Sequence, residues 1–586
     1  MKPENTEPKK LHMHTTHTPR IQRKPSLQLW WGWTLCLCLL ALGMGQSNAR
    51  AASGPDKAAA LQAVAPVMHC EALQAQDLSD IGGAGSRVLT ASVNTENGKS
   101  QCAVEGLLAP AIHFKLKLPM VGWTQRYLQV GCGGLCGSIS MDAGAANGCA
   151  ALESGEFAMA STDMGHQGMG GEFGRDTQSR ADFAYRGVHL TALASKKLIQ
   201  AFYGQRQAYA YFSGCSDGGR EALMEAQRYP QDFNGIIAGA AAMNFQVQNG
   251  LYHAWQSTAN TSADGKPVLT ADRLPLLHRA VLAQCDALDG QRDGLIEDPR
   301  ACHFDPKTLQ CPLPGASPQS DCLSSAEVET IRKLYDGPRD PATGKRLTAG
   351  GPQPGSELSW AGVFVAPQGS TELFSTSIAM DALKNLVFEE TPPASFTLQD
   401  LVFNQATFDK LRARHPLLDA TNPDLSAFKA AGGKLILWHG WSDPHISPLN
   451  TIAYHEAVQT TLGAAQAAEF ERLYLLPGVY HCQGGEGPSA IDLLSPMMDW
   501  VEQGAAPGKV QALPPAPRTA PSGFGMPKLP PGVAMPVLAP PASDLTATPV
   551  KARWISPYAG SASAVPVDAS GWMGSDFFLP YTPRMR

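Results

Sequence analysis

The sequence predicts an α/β protein: a mostly parallel sheet with helices on both faces and one long segment inserted between two of its strands. Three observations predict it. Short apolar runs of strand character alternate with helical patterns. One strand-to-helix joint carries Gly214-Cys215-Ser216-Asp217-Gly218, a serine with a glycine two residues away on each side. From about Met243 to Ala430 the rhythm lapses into Gly-, Pro- and Asp-rich sequence, and at Lys434 it resumes.

Taken in order, the chain opens on a targeting pattern. Arg20, Arg23 and Lys24 precede an apolar run from about Leu27 to Met44, and Ala49-Arg50-Ala51 then offers a small-x-small cleavage site. Residues 1–52 read as a signal peptide. A membrane anchor is the alternative, but the run is marginal against the roughly 20 apolar residues a span needs. No later segment is apolar and long enough to cross a bilayer. Residues 53–242 and 431–505 read as the sheet domain, 243–430 as an inserted lid, and 506–586 as a Pro-rich C-terminal extension.

Within the sheet domain, the stretch to about residue 110 is polar and strand-like in places. Ile112 to Leu118 alternates apolar and basic residues, as a half-exposed strand does. Arg126 to Val130 forms a strand that runs into Gly131-Cys132-Gly133-Gly134, where the backbone must turn sharply or approach something closely. Phe157–Ser161 reads as a buried strand, Thr191–Tyr203 as a helix and Ala208–Ser213 as a strand. Gly219–Tyr229 reads as a helix stopped by Pro230, and Gly235–Gly239 as a short strand. After the insertion come a strand at Lys434–His439, a helix at Leu449–Leu462 and a strand at Leu473–Leu476.

Composition bounds the function. Hydrophobic residues make up 44% and charged residues 17% of the chain, as in an ordinary globular protein. A net charge of −6 gives no electrostatic reason to expect nucleic acid or an anionic membrane as partner. Of 13 cysteines, Cys36 and Cys38 lie in the leader. The rest, in close pairs on an exported chain, point to disulfides in an oxidising compartment, periplasmic or extracellular. Their odd number leaves at least one thiol unpaired within a monomer.

The serine joint is the strongest chemical signal. A strand before it and a helix after it make a nucleophile elbow, in which the hydroxyl of Ser216 stands exposed near a helix N-terminus. Serine needs a base within hydrogen-bond reach. In an α/β-hydrolase fold the chain order is serine, acid, histidine. Asp443 follows the strand that ends at His439, and His481 follows the next strand, so both suit that order. His439 and His445 compete for the role of base, but they sit on the acid's own turn. Cys215 immediately precedes Ser216, and Cys482 immediately follows His481. A bridge between them would hold their Cα atoms about 4.4–6.8 Å apart and force serine and histidine into one small space. Free, buried or otherwise paired cysteines are the alternative. The N–H groups of Asp217 and Gly134, with Gly133 close behind, are the expected oxyanion donors. A separate acidic loop, Cys285-Asp286-Ala287-Leu288-Asp289-Gly290-Gln291-Arg292-Asp293-Gly294-Leu295, can converge hard oxygens on calcium, although its spacing is not that of an EF-hand. An acidic surface turn without metal is the alternative there.

Together these motifs identify a likeness. Gly-Cys-Ser-Asp-Gly-Gly-Arg (214–220), His-Gly-Trp-Ser-Asp (439–443), Pro-Gly-Val-Tyr-His-Cys (477–482), the acidic loop (285–294) and Ser-Thr-Asp-Met-Gly-His (161–166) resemble the tannase and feruloyl esterase family. That family includes esterases acting on mono(2-hydroxyethyl) terephthalate. The resemblance runs from about Cys70 to about Trp500. It implies an α/β-hydrolase fold with a large inserted lid domain and a triad of Ser216, Asp443 and His481. It also implies the Cys215–Cys482 bridge, and bridges Cys70–Cys102, Cys285–Cys302 and Cys311–Cys322. Cys132, Cys136 and Cys149 are left to share at most one more. Structural calcium in the lid would be held by side chains of Asp286, Asp289 and Asp293 and backbone oxygens of Gln291 and Leu295. Family members usually carry a C-terminal cysteine pair, which this chain lacks after Cys482.

The activity so implied is that of a secreted carboxylic ester hydrolase acting on small esters of aromatic acids: feruloyl, galloyl or terephthaloyl. Ile446, just past the acid, is expected to line the acyl pocket. Two rivals stand beside this reading. One is a peptidase or acyltransferase on the same triad, and the other is a non-catalytic secreted binding protein on a hydrolase scaffold. Which ester is cleaved, and the oligomeric state, are not legible from the sequence.

Overall fold

A computed structural model describes residues 60–312, 321–367, 372–515 and 550–560. The leader expected over 1–52 and most of the C-terminal extension lie outside the described residues.

Twelve strands are described: β1 (Arg87–Glu96), β2 (Lys99–Leu108), β3 (Ile112–Pro119), β4 (Arg126–Val130), β5 (Phe157–Thr162), β6 (Tyr209–Cys215), β7 (Gly235–Gly239), β8 (Lys434–Gly440), β9 (Glu471–Leu476), β10 (Ala490–Ile491), β11 (Val510–Leu513) and β12 (Arg553–Ile555). Nine form one sheet in the order β1-β2-β3-β5-β4-β6-β7-β8-β9. From β5 to β9 every pairing is parallel. β1, β2 and β3 form an antiparallel edge that joins at β5. The polar stretch before residue 110 is therefore a long hairpin. It turns at Asn97-Gly98, both in the left-handed region (φ 51° and 77°), which suits the twist of paired strands.

The longer helices are α1 (Gly187–Tyr203), α2 (Asp217–Arg228), α3 (Leu274–Cys285), α4 (Ser325–Asp336), α5 (Phe374–Ala382), α6 (Pro448–Leu462) and α7 (Leu494–Gln503). Successive side chains of a strand point to opposite faces, so a sheet covered on both sides needs apolar residues at every position. β8 meets that demand. Leu435 and Leu437 join one core with α1, α2 and α6, while Ile436 and Trp438 join a second core with Leu494, Met497 and Trp500 of α7.

Helix α2 starts at Asp217, two residues before the sequence pattern places it. The pattern discounts Gly218 and Gly219 as helix formers, but packing requires them. A Cβ on Gly218 would lie 2.9 Å from the Cys132 carbonyl oxygen, and one on Gly219 would lie 2.4 Å from that of Gly239.

Between β7 and β8 no strand occurs among the described residues. The insertion carries an apolar core of its own, with Leu274, Leu277, Val281, Ile331, Leu334, Trp360 and Phe364. It is not wholly separate, because Leu383, Leu386, Phe408 and Leu411 pack into the core beneath the sheet. The described parts of the C-terminal extension carry two short strands: β11 pairs with β10, and β12 pairs with β11. Among the described residues no helix is long and apolar enough to cross a membrane.

Candidate active site

The strand β6 ends at Cys215, and α2 begins two residues later. Ser216 between them sits at φ 65°, ψ −122°, a backbone conformation L-residues rarely adopt. The surroundings hold it there. Its N–H donates to the Gly239 carbonyl at 3.0 Å, and its carbonyl accepts from the N–H groups of Arg220 and Ala242. A Cβ on Gly214 would meet the Gly218 carbonyl oxygen at 2.3 Å, so a glycine is required where the sequence has one. A strained serine at a strand end and a helix N-terminus makes Ser216 the candidate nucleophile.

Asp443 follows β8 and is fully buried. Its carboxylate is saturated. Oδ2 accepts from His481 Nδ1 at 2.6 Å and from His439 Nε2 at 3.0 Å, and Oδ1 accepts the N–H groups of His445 and Ile446 at 2.8 and 3.0 Å. Burial alone would raise its pKa. The charge of His481 and the hydrogen bonds from His439 and His481 outweigh burial and hold it well below the usual carboxylate range.

Of three histidines that competed for the base, geometry separates them. His439 is fully buried, with Nδ1 on Thr451 Oγ1 at 2.7 Å and Nε2 committed to Asp443 and the Ile446 carbonyl. It anchors the acid and has no free nitrogen for a substrate. Burial first, and the neighbouring His481 charge second, push His445 well below its ordinary pKa. His481 alone presents a partly exposed ring with one nitrogen on Asp443 and the other available.

The Cys215–Cys482 bridge is present, with Cα atoms 5.9 Å apart across 267 residues of sequence. It ties the residue before Ser216 to the residue after His481. The other expected bridges, Cys70–Cys102, Cys285–Cys302 and Cys311–Cys322, are also present. The question left open among the remaining three is resolved: Cys132 and Cys136 are bridged, and Cys149 is a buried free thiol.

The glycine loop after β4 packs on the start of α2. A Cβ on Gly131 would lie 2.7 Å from the Gly218 Cα, and the Cys132–Cys136 bridge pinches the loop around Gly133, Gly134 and Leu135. Gly134 has φ 65°, and its N–H has no protein acceptor among the described residues. The N–H of Asp217 is the first of α2 and has no intrahelical partner. The side chain of Asp217 is held by Arg220, fully buried, at 2.7 and 2.9 Å. That guanidinium also donates to the carbonyls of Phe183 and Ala184 and lies over the Phe183 ring. Cys132, Cys136, Asp217 and Glu221 form a tight cluster, but bridged sulfurs are not thiolates, so soft-metal ligation is not available there.

Insertion residues reach the acid's turn directly. Gln256 Nε2 donates to the Pro444 carbonyl at 2.8 Å, and Ser359 Oγ donates to that of Ser442 at 3.0 Å. Phe374 packs edge-on against His445 with ring centres 4.5 Å apart. Sequence reading named none of these, since residues scattered through an insertion carry no local pattern. Ile446 is buried beside the acid, and its backbone serves both Asp443 and His439.

In the acidic loop, Asp286 Oδ1 accepts the N–H groups of Asp293 and Gly294, and Asp289 Oδ1 accepts that of Gln291. Asp293 Oδ1 accepts the N–H of Leu295. Arg553 of β12 touches Asp293 Oδ2 at 3.0 Å, Asp289 Oδ2 at 3.3 Å and Glu297 Oε2 at 2.7 Å. Burial, against the pull of Arg553 and with the push of Asp289 and Asp293, raises the pKa of Glu297. One guanidinium among four carboxylates leaves a negative excess of hard oxygens, the chemistry a hard divalent cation takes, but among the described residues the three aspartates do not converge on one point.

A six-stranded parallel run, a strained serine at its elbow and an acid–imidazole pair at the ends of the next strands define an α/β-hydrolase. Comparison with known proteins makes it a carboxylic ester hydrolase. The chain belongs to the tannase and feruloyl esterase family, whose profile matches residues 96–555. It is 34% identical over 478 residues to mono(2-hydroxyethyl) terephthalate hydrolase of Piscinibacter sakaiensis, covering 70% of this chain and 78% of that one. It is 35% identical over 460 residues to an uncharacterized esterase of Xanthomonas campestris, covering 70% and 77%. The crystal structure of feruloyl esterase B from Aspergillus oryzae is similar at a TM-score of 0.66 with 27% identity, covering 76% of this chain and 92% of that one.

Proposed function

We propose that the protein is an exported serine esterase that cleaves esters of aromatic carboxylic acids through an acyl-enzyme. The observation that carries the reading is the single bridge that brings the neighbour of Ser216 to the neighbour of His481, with His481 bonded to Asp443 at 2.6 Å. His481 takes the proton of Ser216 as its oxygen attacks the ester carbonyl. Asp443 fixes the imidazole's tautomer and stabilises the imidazolium. The N–H groups of Gly134 and Asp217 receive the developing oxyanion. The protonated imidazole gives its proton to the leaving alcohol, and water then repeats the attack on the acyl-serine and frees the acid.

The insertion serves as the lid that lines the acyl pocket, with Phe374 and Ile446 beside the acid's turn. Support for an aromatic acyl group comes from the relatives, which include a terephthalate monoester hydrolase and a feruloyl esterase. Calcium is the cation proposed for the acidic loop, held by Asp286, Asp289 and Asp293 with the carbonyls of Gln291 and Leu295. Its contribution is structural: it screens the carboxylates and orders the loop. Export accords with the five disulfides, which persist in oxidising compartments.

The test is a rate survey on methyl ferulate, methyl gallate and mono(2-hydroxyethyl) terephthalate, alongside a peptide and an aliphatic ester, with fluorophosphonate labelling. Hydrolysis of an aromatic ester and a label on Ser216 are expected. A peptide preferred over every ester, or a label absent from Ser216, overturns the reading.

A further inference from the structure

We infer that Glu221 is a positioning residue for the oxyanion hole, clamping the glycine loop to the nucleophile's helix. The inference rests on the serine-esterase reading above. Glu221 lies one turn beyond Asp217 on α2 and is completely buried. Its Oε1 accepts the Cys132 N–H at 3.3 Å and lies 2.7 Å from Cys132 Sγ and 3.3 Å from Cys136 Sγ. One of its oxygens lies within 4.8 Å of a carboxylate oxygen of Asp217. Oε2 has no partner and faces Gly131, where a Cβ would approach to 2.9 Å.

Nothing in the packing of α2 calls for an acid there. The helix meets the core through Ala222, Leu223, Met224 and Ala226. What the carboxyl does is span two elements. One carries the Asp217 N–H and the other carries the Gly134 N–H, and the oxyanion needs both at a fixed separation. The Cys132–Cys136 bridge makes the loop a small rigid ring, so a hold on Cys132 is a hold on Gly134.

Protonation state matters to the same task. Burial first, and the adjacent Asp217 charge second, raise the pKa of Glu221 well above the carboxylate range. Arg220 donates both of its bonds in this cluster to Asp217 and none to Glu221. A neutral acid accepts from Cys132 and adds no second charge beside Asp217. An anion in its place would set a negative charge behind the site where the oxyanion forms.

The experiment compares E221Q, E221L and E221D with wild type and S216A on the aromatic ester the wild type cleaves fastest. E221Q keeps one donor and one acceptor and is expected to hold kcat within about fivefold. E221L keeps the volume and loses the bond to Cys132, and E221D is one methylene too short to span. Each is expected to lose about 10- to 100-fold in kcat with KM within about twofold, part of the 10²- to 10³-fold that a whole oxyanion donor supplies. Wild-type kcat in E221D overturns the assignment even where E221L does not fold, and so does an E221Q as slow as E221D. An S216A that keeps the wild-type rate overturns the serine reading and this inference with it. A dead S216A beside an unimpaired E221D overturns the Glu221 assignment alone.

Discussion

The elbow at Gly214–Gly219 and the acidic loop at Cys285–Cys302 are both short, glycine-bearing and cross-linked by cysteine, yet they are built to opposite ends. At the elbow the backbone is strained, glycines are demanded by contact, and the bridge spans 267 residues to join the end of β6 to the loop after β9. In the acidic loop Gly290 and Gly294 adopt left-handed turns with open space around them, and the bridge spans 17 residues. The elbow is held by its surroundings and spends that rigidity on one reactive side chain. The loop is held by its own side chains and by charge. Chemistry at the ends of a sheet is over-determined by the sheet, whereas a loop in an insertion depends on its own hydrogen bonds and on the charge of Arg553.

The largest effect that tests this contrast is at the elbow. S216A and H481A are each expected to lower kcat by about 10⁴-fold or more, with circular dichroism unchanged, because triad members act as a unit. A residual rate within 100-fold of wild type in either would break the comparison at its chemical end.

The bridges give the next largest. The double variant C215S/C482S is expected to lose about 10- to 100-fold in kcat, since misplacement of reacting groups by about 1 Å costs on that order. It also loses stability, on the order of 5 kcal/mol in the loop-entropy account. C285S/C302S is expected to lose about 3 kcal/mol by the same account, with kcat at 25 °C within about twofold. Kinetics and thermal melts on both pairs decide it. Equal losses of kcat would show that the two bridges do the same work.

The contrast also governs what the sequence reveals. Strand and turn chemistry is local: the unbroken apolar run Leu435-Ile436-Leu437-Trp438 and the glycines around Ser216 are legible because neighbours in sequence share one physical demand. The order serine, acid, histidine then follows the order of the strands. Glu221 is not legible. A charged residue on a helix reads as solvent-facing, yet Arg220, Glu221 and Glu225 are all buried on α2. The helices of the insertion escape too, although Leu274, Leu277 and Val281 fall on one stripe and Ser324 and Glu327 make a capping box. Their pattern is interrupted by loops whose course depends on distant contacts, such as Gln256 with Pro444.

Removal of metal is a smaller effect and falls on the loop alone. Chelation with EDTA is expected to lower Tm by several °C and calcium to restore it, as ligand linkage to the folded state requires. Initial rates at 25 °C should change less than threefold. An unchanged Tm across EDTA and millimolar calcium would remove calcium from the loop and leave its carboxylates to Arg553.

The smallest effect sharpens the comparison most, because it separates Arg553 from the cation proposed for the loop. Arg553 holds the outer oxygens of Asp289 and Asp293 while their inner oxygens face backbone N–H groups. A positive charge several ångströms from a divalent site repels it by about 1 kcal/mol at high effective dielectric. R553A is therefore expected to bind calcium about 3- to 10-fold more tightly by titration calorimetry. The same substitution frees β12 from a loop 260 residues upstream. Partly exposed ion pairs are worth about 0.2–1 kcal/mol each, so Tm in EDTA should fall by only a few °C. The two readouts move in opposite directions only if the guanidinium and the metal answer the same carboxylates. Weaker calcium binding in R553A would mean that Arg553 shapes the loop for the metal rather than competing with it, and the loop would then be over-determined after all, as the elbow is.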